Sequence, residues 1–370
     1  MGFTLPFLNG VSRKKRAQII SVDLGSRTTK AVLLERRGEF YALMRYALLD
    51  APIFDKKISR DQLADHLHTV AEALGGTTKY VSVAVGLGDA VVRQIELPQI
   101  PLDEMRLVLK MNHKNYLQQD LPNHAFDCYI IPPRAQTAAD AKKAGATPAG
   151  GAGSGIIVPA KLKVLAAACK QQLVADFIHA AGTAGLVADA LVPSLLGPIN
   201  AFEKSLPEVF ARETVALVDI GFKHTSVCVL DRGELATIRT VNIGGDQLTA
   251  GLAEAMNISY AEAEGIKVGM APEVESALLS QVLPLGREIR ASLDFFEHQQ
   301  DRPVTEVYLS GGSTRSEMII QMLHSELLAD CKIWNPTTFL QMALPGQQAV
   351  EIDHVGPQLT VAIGTALAAY

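Results

Sequence analysis

At 370 residues, with 48% apolar and 20% charged side chains, the chain reads as globular and long enough to bury at least two hydrophobic cores. Its formal net charge of −5 carries no basic footprint, which argues against nucleic acid as a partner. Cys128, Cys169, Cys228 and Cys331 show neither metal-binding spacing nor a C-x-x-C, and three lie in apolar runs, so free buried thiols in a reducing compartment are expected.

Residues 1–16 combine Phe3, Leu5, Phe7 and Leu8 with Arg13, Lys14, Lys15 and Arg16. A weak anchor to an anionic membrane, a docking tail and a flexible leader all fit this composition. Pro6 and Gly10 oppose a stable helix and favour a flexible N-terminal tail. The basic cluster follows the apolar part, unlike a secretory signal, and no apolar run reaches the ~18–20 residues that cross a bilayer. A cytoplasmic protein is expected.

A first core is expected over 17–90. Strand and turn patterns run from Ile19 to Tyr46, and Ser59 and Gln62 form a capping pair. Leu63, Leu67, Val70 and Leu74 continue a helical face that Gly75-Gly76 stops, and a strand follows at 80–85. His66 and His68 point about 200° apart on that helix and read as surface residues. Residues 91–185 read as an inserted α+β subdomain, with strands at 92–97, 126–131 and 155–158 and a helix over 101–117. A second helix there is marked by Leu162, Leu165, Cys169, Leu173 and Phe177. Its Ala-, Gly- and Thr-rich stretch 134–155 reads as a flexible loop.

Within 186–213, residues 188–202 are helical in pattern, with Pro193 near the first turn, and are expected to cross between the two halves. The second-lobe core spans 214–370 and contains a smaller helical subdomain around 247–305, including a long amphipathic helix over 282–299. A strand at 306–310 ends in a glycine loop at 311–315, a helix follows from Glu317, and a small-residue helix occupies 358–369.

Two stretches repeat. Residues 19–34 and 215–230 each run from apolar residues through Asp-(Leu/Ile)-Gly and a polar turn containing threonine to a second apolar run, with Asp23 and Asp219 196 residues apart. Gly25 and Gly221 permit tight turns whose N–H groups can approach a ligand, and Ser26, Thr28 and Thr225 add hydroxyl donors suited to phosphate. Asp23 and Asp219 can hold a metal's water shell. The repetition predicts a duplicated domain with phosphates clamped between its halves.

The order of four motifs resembles the actin-like ATPase superfamily over nearly the whole chain: residues 22–30, residues 218–225, the pair Glu264-x-x-Lys267, and residues 309–315. The resemblance implies a duplicated actin-like (ribonuclease H-like) α/β fold, two lobes around a nucleotide cleft, with ATP and Mg²⁺ as cofactors. Gly25, Ser26, Arg27 and Thr28 would cradle phosphates from one side, and Gly221, Phe222, Lys223 and Thr225 from the other, with Gly245 beside them. Glu264 and Lys267 stand where the family contacts ribose and base. Gly311, Gly312 and Ser313 would admit the nucleotide and Arg315 would stack on adenine, while Asp23 and Asp219 would hold Mg²⁺. For Lys30, strand alternation favours a solvated side chain.

The inserted subdomain resembles those of FtsA and of PilM-type type IV pilus assembly proteins, and residues 94–101 and 115–122 look most like the latter. This implies a scaffold on the cytoplasmic face of the inner membrane, held there through partners within the pilus machinery or a related type II secretion-like system. Its ligand would be the cytoplasmic N-terminal peptide of a PilN-like membrane protein, bound on the inserted subdomain, and the resemblance leaves room for a homo-oligomer. An FtsA-like filament-forming cytoskeletal protein is the alternative; a small-molecule kinase of the same fold is a further one, but it needs a base aspartate facing a sugar pocket, for which this sequence offers no candidate. Residues 83–88 offer no acid or amide to orient water, with Asp89 the nearest acid, and Phe222 and Lys223 replace small residues, so hydrolysis is expected to be weak or absent.

Overall fold

The computed structural model describes residues 7, 16–53, 58–131, 161–269 and 274–370. Three β-branched runs, β1 (Gln18–Leu24), β2 (Thr28–Arg37) and β3 (Phe40–Asp50), form an antiparallel meander. Helix α1 (Arg60–Leu74) starts at a capping box in which Ser59 and Gln62 exchange hydrogen bonds, and it ends where Gly75 turns left-handed at φ 57°. Strand β4 (Tyr80–Val85) then lies parallel to β1.

The inserted part contains β5 (Ala90–Pro98), α2 (Leu102–Leu117), β6 (His124–Ile130) and β7 (Lys161–Lys170), in a separate sheet ordered β5-β7-β6. The single helix expected from Leu162 to Phe177 is instead β7 followed by α3 (Gln171–Thr183). As the central strand, β7 is buried continuously from Val164 to Cys169, so its alanine-rich run has no polar face to betray its period. Helix α3 also packs on α1 and on β8 (Val187–Pro193) of the first lobe. The helix expected over 188–202 is likewise two elements, β8 and α4 (Leu196–Ser205). Strand β8 lies at the sheet edge, where Pro193 can end it without breaking a ladder on both sides.

After α5 (Pro207–Arg212) the pattern returns: β9 (Thr214–Ile220), β10 (Thr225–Asp231) and β11 (Glu234–Val241) form a second meander. Helices α6 (Gly245–Met256), α7 (Tyr260–Gly269) and α8 (Glu275–Gln300) follow, the last starting earlier than the expected 282. Next come β12 (Glu306–Ser310), a 3-10 turn at Gly312–Arg315, α9 (Glu317–Leu327), β13 (Asp330–Ile333) and β14 (Gln341–Met342). Helix α10 (Gly346–Val355) and α11 (Thr360–Leu367) complete the chain. The first-lobe sheet is ordered β14-β3-β2-β1-β4-β8 and the second β11-β10-β9-β12-β13, the same topology twice apart from β14.

The largest hydrophobic core joins the first-lobe sheet to α3 of the inserted part and to one face of the second-lobe sheet, through residues such as Leu34, Phe177 and Leu217. Separate cores around Phe296 and Met105 fill the other face of the second lobe and the inserted sheet. Helices α4 and α11 cross backbone to backbone: a Cβ on Gly364 would lie 1.8 Å from the Gly197 carbonyl oxygen. Asn200 Nδ2 donates to the Gly364 carbonyl at 3.2 Å beside this crossing.

Two described residues of the expected flexible tail are docked on the first lobe. Phe7 is buried in its core, and Arg16 pairs with Asp189 at 2.8 Å and lies over the Tyr80 ring. The expected loop at 134–155 and strand at 155–158 lie outside the described residues. His66 is half-buried rather than superficial, its Nε2 2.7 Å from the hydroxyl of buried Thr29. Cys128, Cys169 and Cys228 are free and buried, and Cys331 is free and half-buried. No helix among the described residues is long and apolar enough to cross a membrane.

Candidate functional site

The two meanders carry corresponding turns. Leu24 pairs with Thr29, and Ile220 with Thr225, so each turn holds four residues between its last paired positions: 25–28 and 221–224. Both turns open onto one cavity of about 370 Å³ between the lobes. Of the residues expected at the site, Asp23, Gly25, Ser26, Arg27, Thr28, Asp219, Gly221, Phe222 and Lys223 line it. So do Gly245, Glu264, Lys267, Gly312, Ser313 and Arg315.

Two do not. Thr225 begins β10, is fully buried, and donates its hydroxyl to the Ile243 carbonyl at 2.7 Å. Gly311 is pressed against β9 at φ 96°, where a Cβ would meet the Ile220 carbonyl oxygen at 2.5 Å. Its role is to let the chain pass that strand.

The expectation of a solvated Lys30 is also overturned. Residues directly opposite in an antiparallel pair share a face, and Lys30 is the partner of Asp23. Its Nζ lies 3.1 Å from Asp23 Oδ2 inside the cavity. Burial opposes the ammonium's charge, but the carboxylates of Asp23 and Asp219 outweigh it and hold its pKa above the ordinary value. Burial pushes the Asp219 carboxyl up to about 6, against the opposing pulls of the Ser310 hydrogen bond, at 2.9 Å, and of Lys30.

Toward the other end, α6 begins where Gly245 and Asp246 donate their N–H groups to the carbonyls of Gly221 and Phe222. Lys267 is buried and donates to Thr249 Oγ1 at 2.6 Å and to Glu264 Oε2 at 2.7 Å. Burial lowers its pKa despite the Glu264 carboxylate beside it. Arg27 reaches from the first lobe to Glu264 Oε1 at 3.2 Å, with its guanidinium 5.5 Å from the centre of the Phe222 ring. Lys223 bonds Asp246 at 2.6 Å, and Tyr260 donates to the same carboxylate.

Sequence reasoning missed Asp50, Gly86, Leu87, Ser194, His224, Gln358 and Val361 as lining residues. His224 was within reach: the 196-residue offset places it opposite Thr28, one position before Thr225. The others come from strand and helix ends that only the folded chain brings together.

Two further concavities adjoin this cavity or the inserted sheet. An apolar chamber of about 250 Å³ shares Leu24, Gly25, Ser26, Gly86, Leu87 and His224 with the cavity and continues to Leu63, Val83, Leu173 and Phe177. A groove of about 530 Å³ runs between α2 and α3, with Phe126, Leu107, Val174 and Ile178 as its apolar lining and Arg106 and Lys110 as cations. Leu107 and Ile178 are exposed there, at 56% and 50%.

Residues 153–370, more than half of the chain, match the family model for type IV pilus assembly protein PilM. The structure is similar to that of a PilM-PilN type IV pilus biogenesis complex, with TM-score 0.79 and 21% identity over 96% of this chain and 99% of that one. It is also similar to ethanolamine utilization protein EutJ from Carboxydothermus hydrogenoformans, with TM-score 0.52 and 15% identity over 96% and 92% of the two chains. The duplicated sheets and the cleft between them are the actin-like ATPase fold, and the chain belongs to the family of the type IV pilus assembly protein PilM.

Proposed function

We propose that the chain is an ATP-binding scaffold of a type IV pilus assembly complex at the cytoplasmic face of the inner membrane. The observation that carries the nucleotide part is the convergence of two corresponding turns on one cavity of about 370 Å³. The residues present fit phosphate. Gly25 is required by the turn itself, where a Cβ would meet the Thr28 carbonyl oxygen at 2.5 Å and Lys30 Nζ at 2.9 Å, and the exposed Ser26 and Arg27 extend the same wall. The turn at 25–28 would bind the β- and γ-phosphates from one lobe and the turn at 221–224 from the other, with Lys30 as the resident cation. Glu264 and Lys267 would orient the ribose, and Arg315 would lie on the base.

Among the described residues no group of three or more metal-binding side chains is arranged to hold a metal ion. Mg²⁺ needs fewer, because it keeps several waters, and Asp23 and Asp219 would hold it through them. When bound, the ion would neutralise phosphate charge. Ser226, opposite Asp219 on β10, is buried and presents no base, while Asp89 lines the chamber and not the cavity. Of the cavity's lining, Asp50, His224 and Gln358 are the side chains left that could orient water, and ATP binding with slow or absent hydrolysis is the reading that single-turnover release tests.

The groove between α2 and α3 suits the cytoplasmic N-terminal peptide of a PilN-like membrane protein: apolar side chains for its anchors and Lys110 for its acidic or carbonyl groups, with Arg106 beside them paired to Asp103 and Asp127. The solved relative in complex with PilN supports this partner class. Titration with ATP·Mg²⁺, single-turnover phosphate release and a pull-down with tails of candidate membrane proteins test the reading. Saturable ATP binding, slow release and capture of one tail are expected. Brisk release overturns the slow-turnover part, and absence of nucleotide binding overturns the whole.

A further inference from the structure

We propose that the inserted part is a strut between the lobes, fastened to the second lobe by Gln94 and Lys163, through which the cavity and the α2–α3 groove sense each other's occupant. The inference rests on ATP occupying the cleft. Toward the first lobe the attachment is packed. Phe177 and Ala181 of α3, with Leu165, Ala167 and Cys169 of β7, belong to the core that also holds the first-lobe sheet, and Arg60 of α1 pairs with Asp176 at 2.5 Å.

Toward the second lobe the attachment is polar and narrow. Lys163 of β7 pairs with Glu234, at the start of β11. The Gln94 side chain of β5 lies 3.2 Å from the carbonyls of both Leu235 and Ala236, the next two residues of that strand. A carboxamide set between two carbonyls presents its nitrogen to them, so Gln94 donates to both.

These contacts close a circuit around the cleft. On one side, Gly86 and Leu87 line the cavity and β5 begins at Ala90, four residues before Gln94. On the other, β11 runs its eight residues from Glu234, roughly 25 Å of extended chain, toward the cavity. It leads to Ile243, whose carbonyl accepts the Thr225 hydroxyl, and to Gly245 in the cavity wall. A nucleotide that draws the 221–224 turn and Gly245 toward the first lobe pulls on β11, and the pull arrives at Gln94 and Lys163.

From there β7 carries it to the groove. Lys163 stands near one end of β7, and Gln171, directly after the other end, lines the groove with Val174 and Ile178 of α3. Strand β7 is bonded along both edges, to β5 and to β6, and β6 contributes Phe126 to the same groove. Two sites biased through one element are coupled reciprocally, so a peptide in the groove changes ATP affinity by the factor that ATP changes peptide affinity.

Hydrogen–deuterium exchange of the full chain with and without ATP·Mg²⁺, beside calorimetric titration of the same samples, tests this. In wild type, ATP is expected to change exchange over 102–117 and 171–178 by about fivefold. In Gln94→Ala/Lys163→Ala the response should vanish while ATP affinity stays within about twofold of wild type, since neither residue lines the cavity. Lys163→Arg should keep the response. Glu234→Gln loosens the contact from the second lobe alone and should weaken the response, which decides the matter if the double variant does not fold.

Groove exchange that ignores ATP in a wild type that binds it overturns the strut while nucleotide binding stands. So does a response undiminished in the double variant or in Glu234→Gln. Wild type that binds no ATP overturns both.

Discussion

Asp23 in the first lobe faces the Lys30 ammonium across the β1–β2 pair and lies beside Ala84 of β4. Asp219, at the corresponding place in the second lobe, faces Ser226 and lies beside Ser310 of β12, from which it accepts a hydrogen bond. One turn therefore carries a full compensating charge of its own, whereas the other makes do with a hydroxyl and whatever charge the facing lobe lends it. Lys30 serves both, since the Asp219 carboxylate also raises its pKa. Duplication supplied two like strands and turns; divergence made one a donor of positive charge and the other dependent on it.

Removing the shared charge is the harshest test. Lys30→Met leaves Asp23 without its cation and takes away the cation nearest Asp219, and is expected to cost about 3 kcal/mol in nucleotide-free urea unfolding. A loss near zero would mean that the carboxylates are solvated independently and that the lobes do not share a charge.

The next effect concerns Asp219 alone. Its carboxyl titrates at about 6 in the folded chain against an ordinary 3.8. Between those values the folded state binds more protons than the unfolded state, so stability falls as pH rises, with no loss below the lower value and the full loss above the higher. Asp219→Asn should flatten this part of the pH profile, removing a drop on the order of 2 kcal/mol between pH 4 and pH 7. A profile unchanged by the substitution would assign the slope to other groups.

The smallest change is Ser310→Ala, expected to cost about 1 kcal/mol at neutral pH for a lost hydrogen bond to a partly buried carboxylate. It should also shift the Asp219 slope to higher pH, because the hydroxyl favours the ionised form. If it proves as damaging as Lys30→Met, the asymmetry between the lobes is wrong.

Much of this arrangement was legible in the residues. The repeated Asp-(Leu/Ile)-Gly turns sit between short β-branched runs, and their period and punctuation survive burial, so duplication and cleft could be read directly. Ser59 and Gln62 announced α1 because a capping box is local chemistry. Reading failed where tertiary context decided. Strand β7 is buried on both faces, so leucine and cysteine spacings that suit a helix carried no contradicting polar positions.

The edge strand β8 and α4 share one buried stretch from Ala190 to Phe202, so hydrophobic pattern alone does not separate them. Within the site, Thr225 lies one residue beyond a four-residue turn, so its hydroxyl meets the Ile243 carbonyl and not the cavity, and His224 takes the last turn position. Lys30 faces Asp23 and not solvent because the four-residue turn sets that register. Ser194, Gln358 and Val361 carry no local signal at all, since they reach the cavity only from the region of the crossing helices.

That crossing has a mechanical consequence. Where Gly197 meets Gly364 the two helices touch through bare main chain, with no compressible side chain between them. Such a contact cannot be pressed closer, and the Asn200 hydrogen bond to the Gly364 carbonyl ties it in place. Ser194, just ahead of one helix, and Val361, within the other, both line the cavity, so a force applied by an occupant bears on the fulcrum itself. Any residue but glycine at position 197 or 364 would force these helices apart and displace both of those lining residues.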